Sequence, residues 1–118
     1  MLTPQINLLV IRTTQPKALA AFYELFGMRF NYHRHGNGPY HYAAEMGNFI
    51  FEIYPSLKSQ VEVDKSTRLG FIVDDLEKLV GSLEEYNIKI TKAPSKTEWG
   101  LQAIITDLDG RKIELTQA

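Results

Sequence analysis

An internal repeat constrains this chain more than any other feature. Gln15 and Asp75, Gly27 and Asn87, and Phe30 and Ile90 sit at matching places in the two halves of the 118-residue chain, each pair 60 positions apart. Gly47 with Asp109, and Glu52 with Glu114, are 62 apart, so the second half carries a two-residue insertion. Self-similarity at a fixed offset marks two copies of one supersecondary unit. Each copy, at roughly 55 residues, buries too small a fraction of its surface to be secure alone. The halves are therefore expected to share a core or to pair with another chain.

The first copy reads as follows. Ile6 to Ile11 is apolar and partly β-branched, which predicts a buried strand. In "TTQPKALAAFYELFG", Thr14 is placed to cap a helix and Pro16 to sit in its first turn. Leu19, Phe22 and Phe26 share one face, and Gly27 stops the helix. "MRFNYHR" alternates as a second strand, and "HGNGP" is a breaker-rich loop. "YHYAAEMGNFIFEIYP" predicts a hairpin turning near Gly47 and Asn48. Residues 57–66 are a polar connector.

The order then restarts. "RLGFIV" is a strand, and "DDLEKLVGSLEEYN" is a helix with Asp74 and Glu77 placed as a capping box. Leu76, Leu79, Val80 and Leu83 form its apolar face, and Gly81 weakens it slightly. "IKIT" is a strand, "APSKTEWG" a loop, and "LQAIITDLDGRKIELT" a closing hairpin. In its last strand Ile113 and Leu115 point one way, and Lys112, Glu114 and Thr116 the other. The predicted architecture is α+β: β-α-β-β-β twice, one helix on each sheet. The organisation is a single domain, with module one over residues 1–56 and module two over 67–118.

Composition excludes several classes of function. Hydrophobic residues make up 44% and charged residues 23%, and the formal net charge is −1 with scattered lysines and arginines. No basic stripe exists for a phosphate backbone, so no nucleic-acid partner is expected. The chain has no cysteine, which removes disulfides, thiolate zinc sites and thiol catalysis, and fits a cytoplasmic location. "INLLVIR" is too short for a membrane span, so no membrane partner is expected. No Ser-His-Asp spacing, phosphate-binding glycine loop or zinc signature stands out.

The segments "AAFYELFGMRF", "LGFIVDDLEKL", "EWG" and "DLDGRKIEL" occur in an order and spacing similar to the glyoxalase / bleomycin resistance / dioxygenase superfamily, also called vicinal oxygen chelate. With the repeat, the resemblance covers nearly the whole chain. It implies two βαβββ modules, each curling into a half-open sheet around a cavity. In many members that cavity holds a divalent metal, with ligands from the first and last strand of each module. Bleomycin-resistance members keep the cavity, lack the metal, and bind a drug as dimers.

The last-strand positions implied by the resemblance are Glu52 and Glu114, and both match. The first-strand positions are Leu8, beside Asn7, and Arg68. Leu8 cannot ligate a metal, and the Arg68 guanidinium stays protonated. Two carboxylates alone hold a divalent ion poorly. Arg68 is therefore expected to pair with Glu114, Glu52, or both, since its planar fork suits carboxylates.

Three further sets of residues bear on the site. His41 or Tyr42 lines the cavity with Glu52: a two-residue turn at Gly47 and Asn48 selects His41, and a three-residue turn selects Tyr42. Trp99 stacks on a planar ligand at the cavity mouth or closes the edge of the core. His33 and His35, at i and i+2, share a strand face and could form a metal pair, but loop histidines beside "GNGP" are commonly exposed. Phe22, Tyr23, Phe26 and Phe30 are assigned to helix-on-sheet core.

The expected function is a metal-free small-molecule-binding protein of the bleomycin-resistance type, homodimeric, with a cavity lined by Glu52, Arg68 and Glu114. No cofactor is expected, and Leu8 and Arg68 disfavour a divalent metal. The alternative is a metal-dependent lyase, isomerase or dioxygenase using Glu52 and Glu114 as ligands. A third reading, a non-metal enzyme with a carboxylate base, has no substrate to support it. No catalytic residue is assigned.

Overall fold

The computed structural model describes residues 2–60 and 62–118. The chain divides into two compact units, Met1–Val63 and Asp64–Ala118. The first contains β1 (Leu8–Thr13), α1 (Pro16–Glu24), β2 (Asn31–His33), β3 (His41–Met46) and β4 (Phe49–Pro55). The second contains β5 (Leu69–Val73), α2 (Leu76–Glu85), β6 (Ile90–Thr97), β7 (Gly100–Thr106) and β8 (Lys112–Gln117). The sheets have orders β1-β4-β3-β2 and β5-β8-β7-β6. The first strand of each unit runs parallel to the last, and the remaining pairs are antiparallel.

The repeat holds at the level of backbone geometry. Gln15 and Asp75 are both helix N-caps. Gly27 (φ 107°) and Asn87 (φ 61°) both adopt the left-handed conformation that ends the helix. Val10 pairs with Glu52 in β1–β4, and Gly70, 60 positions on, pairs with Glu114 in β5–β8.

Each sheet buries one face under its own helix. In the first unit Leu19, Phe22 and Tyr23 of α1 pack with Phe51 and Ile53 of β4, and the Tyr23 and Phe51 rings meet edge-on at 5.0 Å. In the second unit Leu76, Val80 and Leu83 of α2 are buried, as are Ala103, Ile105, Ile113 and Leu115 of the sheet. Strand alternation sends the intervening residues to the opposite, open face. That face carries Leu8, Val10, Ile50, Glu52, Ala43 and His41 in the first unit, and Gly70, Ile72, Gln102, Ile104, Glu114 and Thr116 in the second.

Several local expectations are corrected. The helix caps are one residue later than predicted. Asp75, not Asp74, caps α2 by accepting the Lys78 N–H at 3.2 Å. Gln15 is the N-cap residue of α1 but its side chain does not bond the N–H groups of the first turn, and the Thr13 hydroxyl, not Thr14, accepts the Gln15 N–H at 3.1 Å. Most of "APSKTEWG" is strand rather than loop, because β6 extends to Thr97. Pro94 is tolerated there because β6 is the sheet edge and shifts register twice, between Ile90 and Lys92 and between Lys92 and Ser95. β1 runs to Thr13 rather than ending at Ile11.

The "DLDGRK" turn is more than a tight connection. Asp107 Oδ1 accepts the N–H groups of Asp109 (2.9 Å) and Arg111 (3.0 Å). The Arg111 side chain is fully buried and its Nη1 donates to Asp107 (3.2 Å) and Asp109 (3.0 Å). Asp64 lies 4.0 Å from Arg111 Nε. This knot fixes the start of β8 and hence the register of Glu114. In the sequence, the three carboxylates in "VDKS" and "DLDGR" are the signal for a partner to Arg111.

Candidate functional site

The open face of the first unit is organised by a two-residue turn. Met46 pairs with Phe49, leaving Gly47 (φ 60°) and Asn48 in the turn, and glycine at the first central position suits a type II′ hairpin. That register sets Ala43 opposite Glu52 and places His41, not Tyr42, on Glu52's face. Tyr42 is corrected to the other face, where its ring lies 6.5 Å from that of Phe30.

His41 is fully buried and Glu52 is 8% exposed. His41 Nε2 lies 3.1 Å from Glu52 Oε2, and His41 Nδ1 lies 3.2 Å from the Pro39 carbonyl oxygen. A carbonyl only accepts, so Nδ1 carries the proton in that contact. The Tyr54 ring stacks on the imidazole at 4.1 Å and 8°. Burial and the Glu52 carboxylate push the Tyr54 phenol up from its usual range, with Arg12 pulling the other way. Arg12 lies over the Tyr54 ring at 5.0 Å and donates to the Pro55 carbonyl at 3.1 Å.

β2 brings two more imidazoles to this face. His33 is the cross-strand partner of His41, their ring centroids 4.6 Å apart. His35, just beyond β2, is 5.1 Å from both His33 and His41 by ring centroid. One ligand atom from each of His33, His35, His41 and Glu52 lies within 4.8 Å of all the others. Sequence spacing showed the His33–His35 pair but not its convergence with His41, which depends on antiparallel pairing across the "RHGNGPY" loop.

The second unit treats its glutamate differently. Arg68 Nη2 donates to Glu114 Oε1 at 2.8 Å, with side chains 57% and 45% exposed. Beside the pair, Gln102 donates to the Thr116 hydroxyl at 3.0 Å. Trp99 occupies the β6–β7 turn and is 73% exposed, so it does not close the core edge.

The four positions singled out by the family resemblance do not fit a divalent ion. An ion needs lone-pair donors; Leu8 has none, and Arg68 is a cation already bonded to Glu114. Leu8, Val10 and Ile50 form an exposed apolar strip on the first unit's open face. Among the described residues no helix is long and apolar enough to cross a membrane.

The family model for the Glyoxalase/Bleomycin resistance protein/Dioxygenase superfamily matches residues 5–115. No curated protein matches the sequence. Among solved structures the chain is similar to an antibiotic binding protein from Streptomyces (23% identity, 99% of this chain and 98% of that one, TM-score 0.74). It is also similar to a virulence protein from Salmonella typhimurium (21% identity, 99% and 98%, TM-score 0.74). A third is lactoylglutathione lyase from Agrobacterium tumefaciens (14% identity, 98% and 95%, TM-score 0.70). At these identities the likeness shows the fold alone.

Proposed function

The chain belongs to the glyoxalase / bleomycin resistance protein / dioxygenase superfamily, and on that basis we propose that it binds a small organic molecule without an ion held by the Leu8, Glu52, Arg68 and Glu114 set. One observation carries this reading: Arg68, not a metal ligand, meets Glu114 at 2.8 Å. The pair is solvent-accessible, so the Arg68 guanidinium is within reach of an incoming acceptor such as a carboxylate or phenolate. In the first unit, taken by itself, the exposed apolar strip of Leu8, Val10 and Ile50 is a further surface suited to rings or alkyl groups. The fold similarity to an antibiotic binding protein is consistent with this class of ligand. The reading includes a homodimer, supported by the small size of each module, and a cytoplasmic location, supported by the absence of cysteine.

The test is a titration of planar aromatic antibiotics and of bleomycin, followed by quenching of the single, exposed Trp99 and by thermal shift. Arg68→Ala is expected to weaken any ligand found by about tenfold or more, since a hydrogen bond to a charged group contributes about 1.5–3 kcal/mol. A ligand that binds Arg68→Ala as tightly as the parent protein would remove this role for the pair.

A further inference from the structure

We propose that His33, His35, His41 and Glu52 form a binding site for a divalent ion of the zinc class, built entirely within the first unit. The site shares only Glu52 with the set implied by the superfamily. Three of its four donors come from β2, from His35 two residues beyond it, and from β3, not from the first and last strands.

Four observations converge on it. The first is proximity: the four donor atoms lie within 4.8 Å of one another. Donors around one tetrahedral zinc, with ligand bonds of about 2.0–2.1 Å, stand about 3.3 Å apart. The widest donor separation therefore has to shorten by about 1.5 Å. The segment that must move holds Gly36 (φ 54°) and Gly38, and His35 is exposed at its start.

The second is an orphaned donor. His33 Nε2 is buried and has no hydrogen-bond partner among the described residues. A buried ring nitrogen without a partner loses its hydration and gains nothing in return. An ion at the cluster centre supplies the missing partner.

The third is the setting of His41. Its Nδ1–H donates to the Pro39 carbonyl, and its Nε2 faces a carboxylate oxygen at 3.1 Å. A lone pair cannot point at a carboxylate without a cation between them. A proton or a metal ion fills that place, and a metal-ligating histidine characteristically donates its other N–H to a carbonyl or carboxylate. The Tyr54 ring, stacked at 4.1 Å, holds the imidazole plane in the orientation this requires.

The fourth is donor chemistry. Three imidazole nitrogens and one carboxylate oxygen suit zinc, and more generally cobalt, nickel or copper, better than calcium or magnesium, which take oxygen ligands. With no cysteine in the chain, no thiolate competes for the ion.

The experiment uses the full chain, stripped with chelator and dialysed. Zinc is titrated calorimetrically, and cobalt(II) is added in parallel to read its visible spectrum. The expected result is one ion per chain, with the intense visible bands of tetrahedral cobalt. His33→Ala and His35→Ala should each weaken zinc by at least ~10-fold, and the double variant should abolish the cobalt bands. Neither residue belongs to the apolar core, and far-ultraviolet circular dichroism checks that both variants fold. Glu114→Ala should leave zinc affinity unaltered. Three outcomes overturn the site: no stoichiometric ion on the parent protein, undiminished binding by the double variant, or loss of binding on Glu114→Ala. None of these readouts depends on the organic ligand, so this site and the proposed binding function can fail separately.

Discussion

Arg111→Met should destabilise the protein severely, although Arg111 is far from the histidine cluster in sequence and has no assigned role in binding. Its side chain is fully buried, with Nη1 at 3.0 Å from Asp109 and 3.2 Å from Asp107, whose own side chains are 7% and 0% exposed. Methionine keeps much of the apolar volume but removes the only charge in the side chain. Two buried carboxylates then lose the Arg111 guanidinium. Breaking a buried pair from one side costs about 3–5 kcal/mol, against a total stability of about 5–15 kcal/mol for an ordinary domain. With a urea m-value of about 2 kcal/mol/M, the denaturation midpoint should fall by about 2 M.

The control separates charge from packing. In the triple variant Arg111→Met, Asp107→Asn, Asp109→Asn, no buried charge remains unpaired. The side-chain amide oxygen introduced by Asp107→Asn can still accept the two N–H groups that Asp107 Oδ1 accepts now. Asp64, the third carboxylate near Arg111, is 44% exposed and so keeps access to solvent. The triple variant should therefore recover more than half of the loss, as expected when a buried ionic cluster is replaced as a whole. A midpoint shift under about 0.5 M for Arg111→Met would refute the reasoning. So would a triple variant no more stable than the single one.

Local geometry supplies two further predictions. Asp75→Ala should cost about 1 kcal/mol in chemical denaturation by removing the α2 cap; an unchanged denaturation midpoint would contradict that role. Hydrogen bonds from the Thr67 hydroxyl, and then from Ser66, hold the Asp64 carboxyl down at about 2. A depressed carboxylate pKa adds stability that is complete above the ordinary value near 4 and is lost as pH falls from about 4 to about 2. Carboxyl-carbon NMR should find Asp64 still ionised at pH 3, and removal of the shift in Thr67→Val would identify its first cause.

Much of the fold was legible because local signals repeat. The offset of 60 matched Gln15 with Asp75 and Gly27 with Asn87, and the structure makes the first pair N-caps, one residue beyond the expected Thr14 and Asp74, and the second pair left-handed terminators. Caps and terminators are fixed by the backbone needs of a helix end, which a few residues express. The strand character of "APSKT" was not legible, because proline argues against a strand and only the bulged sheet edge makes it acceptable there.

For the site, the sequence by itself determined which residue types are available: paired glutamates 62 apart, Leu8 and Arg68 where metal donors would be expected, three histidines, and no cysteine. It also limited Glu52's neighbour to His41 or Tyr42. Tertiary structure decided the partners. A two-residue turn selected His41, Arg68 took Glu114, and antiparallel pairing across the "RHGNGPY" loop carried His33 and His35 onto the same cluster. The physical reason is that strand alternation fixes which face a side chain uses, but not which strand lies beside it. Register and neighbour come from hydrogen bonding between segments distant in sequence.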